Sequence, residues 1–152
     1  MPQVVTQERP DSADATALIT ELDAQLDVLY PDESRHGYSV DKLIAQGVAF
    51  FVLRDDGVPV GCGGVQIFGG RYGEIKRMYV REPFRGRGYA KRILNHLEDY
   101  TLAQGVDRVR LETGIHQLAA IALYERAGFE SIPPFGEYVD DPNSRFYEKV
   151  LR

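Results

Sequence analysis

Residues 74–94 read EIKRMYVREPFRGRGYAKRIL, and this stretch decides how the rest of the chain is organised. Residues 74–80 have the composition of a β-strand, residues 81–88 form a basic turn with two glycines, and an amphipathic helix begins at Tyr89. The first backbone N–H groups of a helix lack partners within it and lie at the positive end of its dipole. A strand, a glycine-containing turn and a helix start in this order predict an anion site, and we expect it to hold a pyrophosphate.

The composition limits the class of protein. A chain of 152 residues predicts one domain spanning residues 1–152, and 43% hydrophobic with 27% charged residues is typical of globular proteins. A net charge of −5 argues against a dedicated nucleic-acid binder. Cys62 is the single cysteine, so no internal disulfide forms, and no Cys/His cluster has the spacing of metal ligands.

The N-terminus shows neither the basic nor the apolar segment of a secretion signal. No apolar run approaches the roughly 20 residues of a membrane span. We therefore expect a cytoplasmic enzyme or binding module that has no membrane, nucleic-acid or metal partner.

Helices and strands alternate in a pattern that predicts an α/β domain. The strands from residue 48 to residue 80 follow one another through short turns and predict an antiparallel meander. The strand–helix–strand unit that ends near residue 113 predicts a parallel pair of strands. Strands are expected at residues 3–7, 48–53, 58–68, 74–80, 108–113, 129–132 and 145–151. Helices are expected at residues 13–29, from Ser39 or Asp41 to about residue 46, from residue 89 to Gly105, and at residues 118–127.

Residues 85–90, RGRGYA, fit the pattern R-x-x-G-x-A. Glycine allows the backbone to approach a phosphate closely, and Arg85 and Arg87 add charged donors. Rival phosphate motifs fail, because a dinucleotide fingerprint requires glycine where Lys91 stands and the Gly-Lys-Ser/Thr of a Walker loop is absent. A basic surface turn with incidental glycines is the alternative interpretation.

A second segment, residues 120–129, reads AIALYERAGF and fits A-x-x-L-Y-x-x-x-G-F. With both motifs, the chain resembles the Gcn5-related N-acetyltransferase (GNAT) superfamily, whose members use acetyl-CoA. The resemblance covers residues 48–129 well and the two ends loosely. It implies a mixed, mostly antiparallel sheet of six to seven strands flanked by about four helices. It also implies that this sheet is splayed between the strands at residues 74–81 and 107–113.

The resemblance implies acetyl-CoA as donor, with its pyrophosphate on the backbone N–H groups of the turn and its pantetheine paired to the strand like an added strand. It implies direct transfer to a primary amine of a small molecule or an exposed protein or peptide. Gln117 stands where many members carry an asparagine that contacts CoA. The expected cofactor-binding residues are Met78, Tyr79, Val80, Arg85, Gly86, Arg87, Gly88, Tyr89, Ala90, Lys91 and Gln117.

Two side chains have implied catalytic roles. Glu74 stands where histone-type members place the general base, and its alternative role is a salt bridge with Lys76 or an arginine. Tyr124 stands where the family places a general acid for the CoA thiolate, and packing in the core is its alternative role. A base acting near neutral pH would need a raised pKa or a water relay.

The acceptor wall is expected in residues 30–39 and 133–143, where acids would hold a cationic amine and tyrosines would line its apolar part. Solvated acidic loops are the alternative. The candidate substrate residues are Tyr30, Tyr38, Glu137 and Tyr138, with Glu33 and Asp140 beside them. Among other residues, Cys62 is interpreted as a small core residue, and Arg108 and Arg110 as a solvated strand face. His36, His96 and His116 are interpreted as surface residues.

Two other functions are open at this point. The chain could be an acyl-CoA-binding sensor or regulatory module without turnover, or a nucleotide- or phosphate-binding module of another kind. A homodimer is also open, because dimers are common in the family that the chain resembles.

Overall fold

A computed structural model describes residues 3–31, 34 and 38–151. The strands in this part of the chain are β1 Gln3–Gln7, β2 Ala49–Asp55, β3 Val58–Phe68, β4 Tyr72–Val80, β5 Arg108–Gly114, β6 Glu130–Ile132 and β7 Ser144–Val150. The helices are α1 Ala13–Leu29, α2 Val40–Ala45, α3 Tyr89–Ala103 and α4 Leu118–Arg126, with a 3-10 turn at Glu82–Phe84. None of these described helices is both long and apolar enough to cross a bilayer.

The seven described strands form one sheet in the order β1-β2-β3-β4-β5-β7-β6. Strands β1 to β4 are an antiparallel meander, β4 and β5 are parallel, and β7 lies antiparallel between β5 and β6. The parallel pair is joined through α3, as expected for a strand–helix–strand unit. This architecture confirms the predicted mixed, mostly antiparallel sheet with flanking helices.

Short polar residues and glycines set the helix ends. Ser12 Oγ accepts a hydrogen bond from the backbone N–H of residue 15, and Ser39 Oγ accepts one from that of residue 42, each at 3.1 Å. These serines, rather than the neighbouring aspartates, are therefore the N-caps. Gly105 and Gly128 follow α3 and α4 with φ of +80° and +98°, a conformation that glycine adopts without strain.

The helices cover both faces of the sheet. The buried stripe of α3 and part of α4 pack on one face, together with the largest apolar cluster. α1 and α2 pack on the opposite face over a second cluster centred on Phe50 and Val52. On α1, Leu18 and Leu22 are buried, whereas Leu29 at its end is 38% exposed.

The glycine-rich strand β3 lets α3 and β4 approach closely. A Cβ added to Gly61 would lie 2.8 Å from the Tyr79 carbonyl oxygen and 3.0 Å from Ile93 Cδ1. The absence of a side chain at Gly61 therefore permits this close approach. The β3–β4 register shifts between Cys62 and Gly64, opposite Arg77, whose φ is +57°. Such a β-bulge inserts an extra residue and redirects the side chains beside it.

Candidate active site

A cleft opens where β4 and β5 diverge. The two strands pair over three residues each, although β4 continues to Val80 and β5 to Gly114. A cavity of about 90 Å³ lies at this divergence, below α1. The described splay agrees with the predicted one, and it leaves one edge of β4 available to a ligand. The paired residues are Gly73 with Val109, Glu74 with Arg110 and Ile75 with Leu111.

The turn before α3 presents an open backbone surface. Gly86 and Gly88 have φ of +81° and +83°, and a Cβ on either would meet no described atom within 4 Å. α3 begins at Tyr89 with no described side chain capping its first N–H groups and no acidic residue in its first turn. These N–H groups and the helix dipole therefore form a site suited to an anion.

Polar contacts hold this turn in place. Arg85 Nε donates to the Val80 carbonyl oxygen at 2.8 Å, and its Nη2 donates to Gln25 Oε1 of α1 at 2.9 Å. The Tyr89 hydroxyl donates to Asp55 at the end of β2. The anion site is therefore preorganised, and Arg85 already uses part of its donor set within the protein.

Most of the other predicted cofactor residues lie on the turn, at the start of α3 or on β4. Ala90 is half-buried at the start of α3. Met78 lines the cavity, and the Tyr79 hydroxyl donates to Glu21 of α1 at 3.2 Å. The exposed residues of the turn and the helix start are Arg85, Gly86, Arg87, Gly88 and Lys91.

Glu74 is buried, with 3% of its surface exposed, and belongs to a polar cluster. Its Oε2 accepts hydrogen bonds from Lys76 Nζ at 2.9 Å and from the Tyr138 hydroxyl at 2.6 Å. Lys76 Nζ also lies 3.8 Å from the centre of the Tyr38 ring, a cation–π contact. The salt bridge to Lys76 is therefore present. Lys76 and Tyr138 both line the cavity, whereas Glu74 is not among its described lining residues.

Tyr124 of α4 lies at the other side of the cavity, where it is 4% exposed. Its ring packs edge-on against Phe129, with the ring centres 5.5 Å apart. Burial, followed by the charge of Glu112, raises the pKa of Tyr124 well above its usual value. The phenol is therefore protonated at neutral pH and is available as a hydrogen-bond donor.

Gln117 stabilises the turn between β5 and α4. Its Oε1 accepts a hydrogen bond from the backbone N–H of Gly114 at 2.9 Å, and the residue lines the cavity. Tyr30 packs against the same turn, where its hydroxyl accepts from the His116 N–H at 3.0 Å. A Cβ on Gly114 would overlap this hydroxyl, so the glycine makes room for Tyr30.

The two segments expected to line the acceptor site, residues 30–39 and 133–143, place some of their candidate residues at the cavity and others in solvent. Tyr30 and Tyr138 line the cavity, and Tyr38 reaches it through Lys76. Burial, followed by the charge of Glu74, raises the pKa of Tyr138, so its hydroxyl is a donor to that carboxylate. By contrast, Glu137 and Asp140 are exposed. Glu33 and His36 lie outside the described residues.

The cavity wall contains three charged residues, Lys76, Arg77 and Glu112. The sequence suggested Lys76 only as a partner of Glu74, and it suggested no role for Arg77 or Glu112. Glu112 lies on β5 and accepts a hydrogen bond from Ser144 Oγ at 2.7 Å. The alternation of Glu74 and Lys76 along a strand was a usable signal that both lie on one face. The sequence alone did not show which residue of β4 the bulge places in the cavity wall.

Other candidate residues are structural. Cys62 is fully buried, and burial raises the pKa of its thiol to about 12, which confirms it as a core residue. His96 packs against Phe51, with ring centres 4.7 Å apart. The interpretation of Arg110 as solvated is wrong, because it binds Glu148 and lies 4.5 Å from the centre of the Tyr72 ring.

Comparison with known proteins assigns the family. A model of the acetyltransferase (GNAT) family matches residues 16–129. The chain is 42% identical over 153 residues to an IAA acetyltransferase of Azospirillum brasilense, a match that covers 99% of this chain and 100% of that protein. The chain therefore belongs to the GNAT acetyltransferase family.

Solved structures agree with this assignment. A putative acyl-CoA N-acyltransferase from Klebsiella pneumoniae superposes with a TM-score of 0.84 at 36% identity, covering 99% of this chain and 98% of that one. The PaiA N-acetyltransferase of Thermoplasma acidophilum, solved in complex with coenzyme A, has a TM-score of 0.77 at 17% identity, covering 99% and 100%. The second likeness concerns the fold alone.

Proposed function

We propose that this protein transfers the acetyl group of acetyl-CoA directly to a primary amine. One observation carries the proposal: α3 starts without a described side-chain cap shortly after the part of β4 that no longer pairs with β5. A pyrophosphate on the turn at residues 85–90 would place pantetheine along the open edge of β4, with its thioester at the cavity. The family and a coenzyme A complex of the same fold support this arrangement.

The acetyl transfer requires an amine without its proton and a stabilised leaving thiolate. Glu74 is the candidate base, and its burial beside Lys76 and Tyr138 means that a proton would reach it through the Tyr138 hydroxyl or through water. The raised pKa of the Tyr124 phenol lies above the pKa of an ordinary thiol, which is about 8.5. Tyr124 therefore acts by donating a hydrogen bond to the thiolate rather than by giving up its proton completely.

The transfer itself is measurable without knowledge of the natural acceptor. Purified protein is mixed with acetyl-CoA and a panel of small amines and peptides, and the release of CoA thiol is followed. We expect thiol release that depends on one class of acceptor, with the acetylated amine identified by mass spectrometry. Absence of acceptor-dependent release from a protein that binds acetyl-CoA would refute the enzyme.

A variant pair separates the two roles of Glu74. Glu74→Gln leaves the Lys76 ammonium buried without its anion, which should lower the free energy of unfolding by about 3 kcal/mol. Adding Lys76→Met removes that charge and should restore most of the stability. If Glu74 is the base, turnover stays about 100-fold low in the double variant, as measured beside urea unfolding. Recovery of turnover together with stability would make Glu74 a structural partner of Lys76.

The second candidate function is an acyl-CoA-binding sensor without turnover. It is favoured by the same salt bridge, because a carboxylate engaged by a buried ammonium is a common structural feature. A sensor would bind acetyl-CoA, transfer nothing to any amine, and keep its CoA affinity in Glu74→Gln and in Tyr124→Phe.

A further inference from the structure

Arg77 is a buried cation in the wall of the cavity. Only 3% of its side chain is exposed, and the β-bulge gives it a φ of +57°. Its Nη2 donates to Asp23 of α1. Its Nε is buried and has no hydrogen-bond partner among the described residues. A guanidinium that lines a cavity therefore has one buried donor unused.

An unused buried donor of this kind points to a ligand oxygen. Leaving a buried polar group without a partner is costly, and the cost is larger for charged groups. Nε and Nη2 lie along one edge of the guanidinium, the edge that binds the two oxygens of a carboxylate in parallel. Asp23, whose side chain is 41% exposed, accepts the hydrogen bond of Nη2. Nε is therefore the unused donor of this edge.

The charges around the cavity identify which ligand group suits this edge. The ammonium of Lys76, the neighbour of Arg77, is already paired with Glu74. Glu112 supplies a carboxylate to the wall from β5, across the divergence of the strands. The apolar side chains Leu22 and Leu26 of α1 complete the wall near Arg77. The described wall thus offers a cationic donor with an unused N–H on β4, which suits a ligand that carries a carboxylate.

We propose that the acceptor is a small amine that also carries a carboxylate, and that Arg77 Nε binds this carboxylate. This inference rests on the proposed acetyl transfer, since it names the class of acceptor for the same cavity. Arg77 is a specificity residue in this account, because it contacts the acceptor away from the reacting nitrogen.

Matched acceptors test the proposal. Glycine, alanine and β-alanine are compared with their primary amides at saturating acetyl-CoA, with rates referred to the concentration of free amine. We expect kcat/KM to be about 10- to 100-fold higher for the acids, the effect of one hydrogen bond to a charged group. Arg77→Gln should bring this ratio close to one by lowering kcat/KM for the acids much more than kcat/KM for the amides.

A second variant guards against a folding defect at the buried position. Asp23→Asn removes a negative charge beside the proposed carboxylate site at a half-exposed position, so it should increase the preference for acids. Thermal unfolding and acetyl-CoA affinity, measured for both variants, confirm that each is folded.

Two outcomes would overturn the inference. Equal acetylation of acids and amides by the wild type would refute it and leave the acetyltransferase intact. If no acceptor is acetylated, the binding of β-alanine and of its amide to the protein–CoA complex is measured by titration instead. Acid-selective binding that Arg77→Gln abolishes supports the carboxylate site even without turnover, and no such binding refutes it.

Discussion

Gly88→Val should weaken the binding of acetyl-CoA by at least about 100-fold, equivalent to roughly 2.7 kcal/mol. Gly88 has a φ of +83° and directly precedes the first residue of α3. A branched side chain there would be strained by about 1–2 kcal/mol and would stand in the open space through which a phosphate reaches the helix N–H groups. Isothermal titration calorimetry measures the loss directly.

The same helix provides a matched control. Gly105 follows the other end of α3 with a φ of +80°, and a Cβ there also meets no described atom within 4 Å. Gly105→Val therefore introduces similar backbone strain and should lower thermal stability to a similar extent, yet retain CoA affinity. Wild-type affinity in Gly88→Val, or equal losses in both variants, would show that the turn does not hold the phosphate.

Tyr124→Phe should lower kcat by about 100-fold while changing the affinity for acetyl-CoA by less than about threefold. The phenol lines the cavity and is protonated at neutral pH because burial and Glu112 raise its pKa. Its hydrogen bond is needed when the thiolate forms, so its removal affects the transition state more than the bound donor. Steady-state kinetics and a CoA titration of the same preparation separate the two effects.

Tyr147→Phe controls for loss of a buried hydroxyl. Tyr147 is 1% exposed in the same apolar cluster, and its hydroxyl donates to Glu125 at 3.0 Å, away from the cavity wall. This variant should lose some stability and keep its kcat. If Tyr124→Phe instead weakens CoA binding and leaves kcat unchanged, Tyr124 is a binding residue and not the group that assists the thiolate.

The features that could be predicted from the sequence are those determined by residues close to one another along the chain. The extent of α1, the serine cap of α2 and the glycine that ends α3 each depend on residues within one or two helical turns, and the structure confirms them. The turn at residues 85–90 is local in the same sense, because the phosphate contacts proposed for it depend on the backbone immediately after it. Local patterns of this kind are readable without a tertiary structure.

The acceptor side depends on contacts between distant residues. Tyr138 reaches Glu74 across 64 positions of sequence, and Asp23 reaches Arg77 across 54. The bulge at Arg77 arises from how β4 pairs with β3. The glycines of β3 indicate a bend there but do not determine which residue of β4 is displaced. For this reason the sequence predicted Glu74 and Tyr138 separately but not the cluster that joins them through Lys76.

The central claim is that the turn before α3 holds the pyrophosphate of CoA. Parallel calorimetric titrations with acetyl-CoA and with S-acetylpantetheine, which lacks the pyrophosphate and the 3′-phosphoadenosine beyond it, test this claim, and Gly88→Val titrated alongside separates the contribution of the turn from that of the adenosine. The account predicts saturable one-to-one binding of acetyl-CoA, at least about 100-fold tighter than that of S-acetylpantetheine. Equal affinity for the two compounds, or no binding of acetyl-CoA at millimolar concentration, would contradict it.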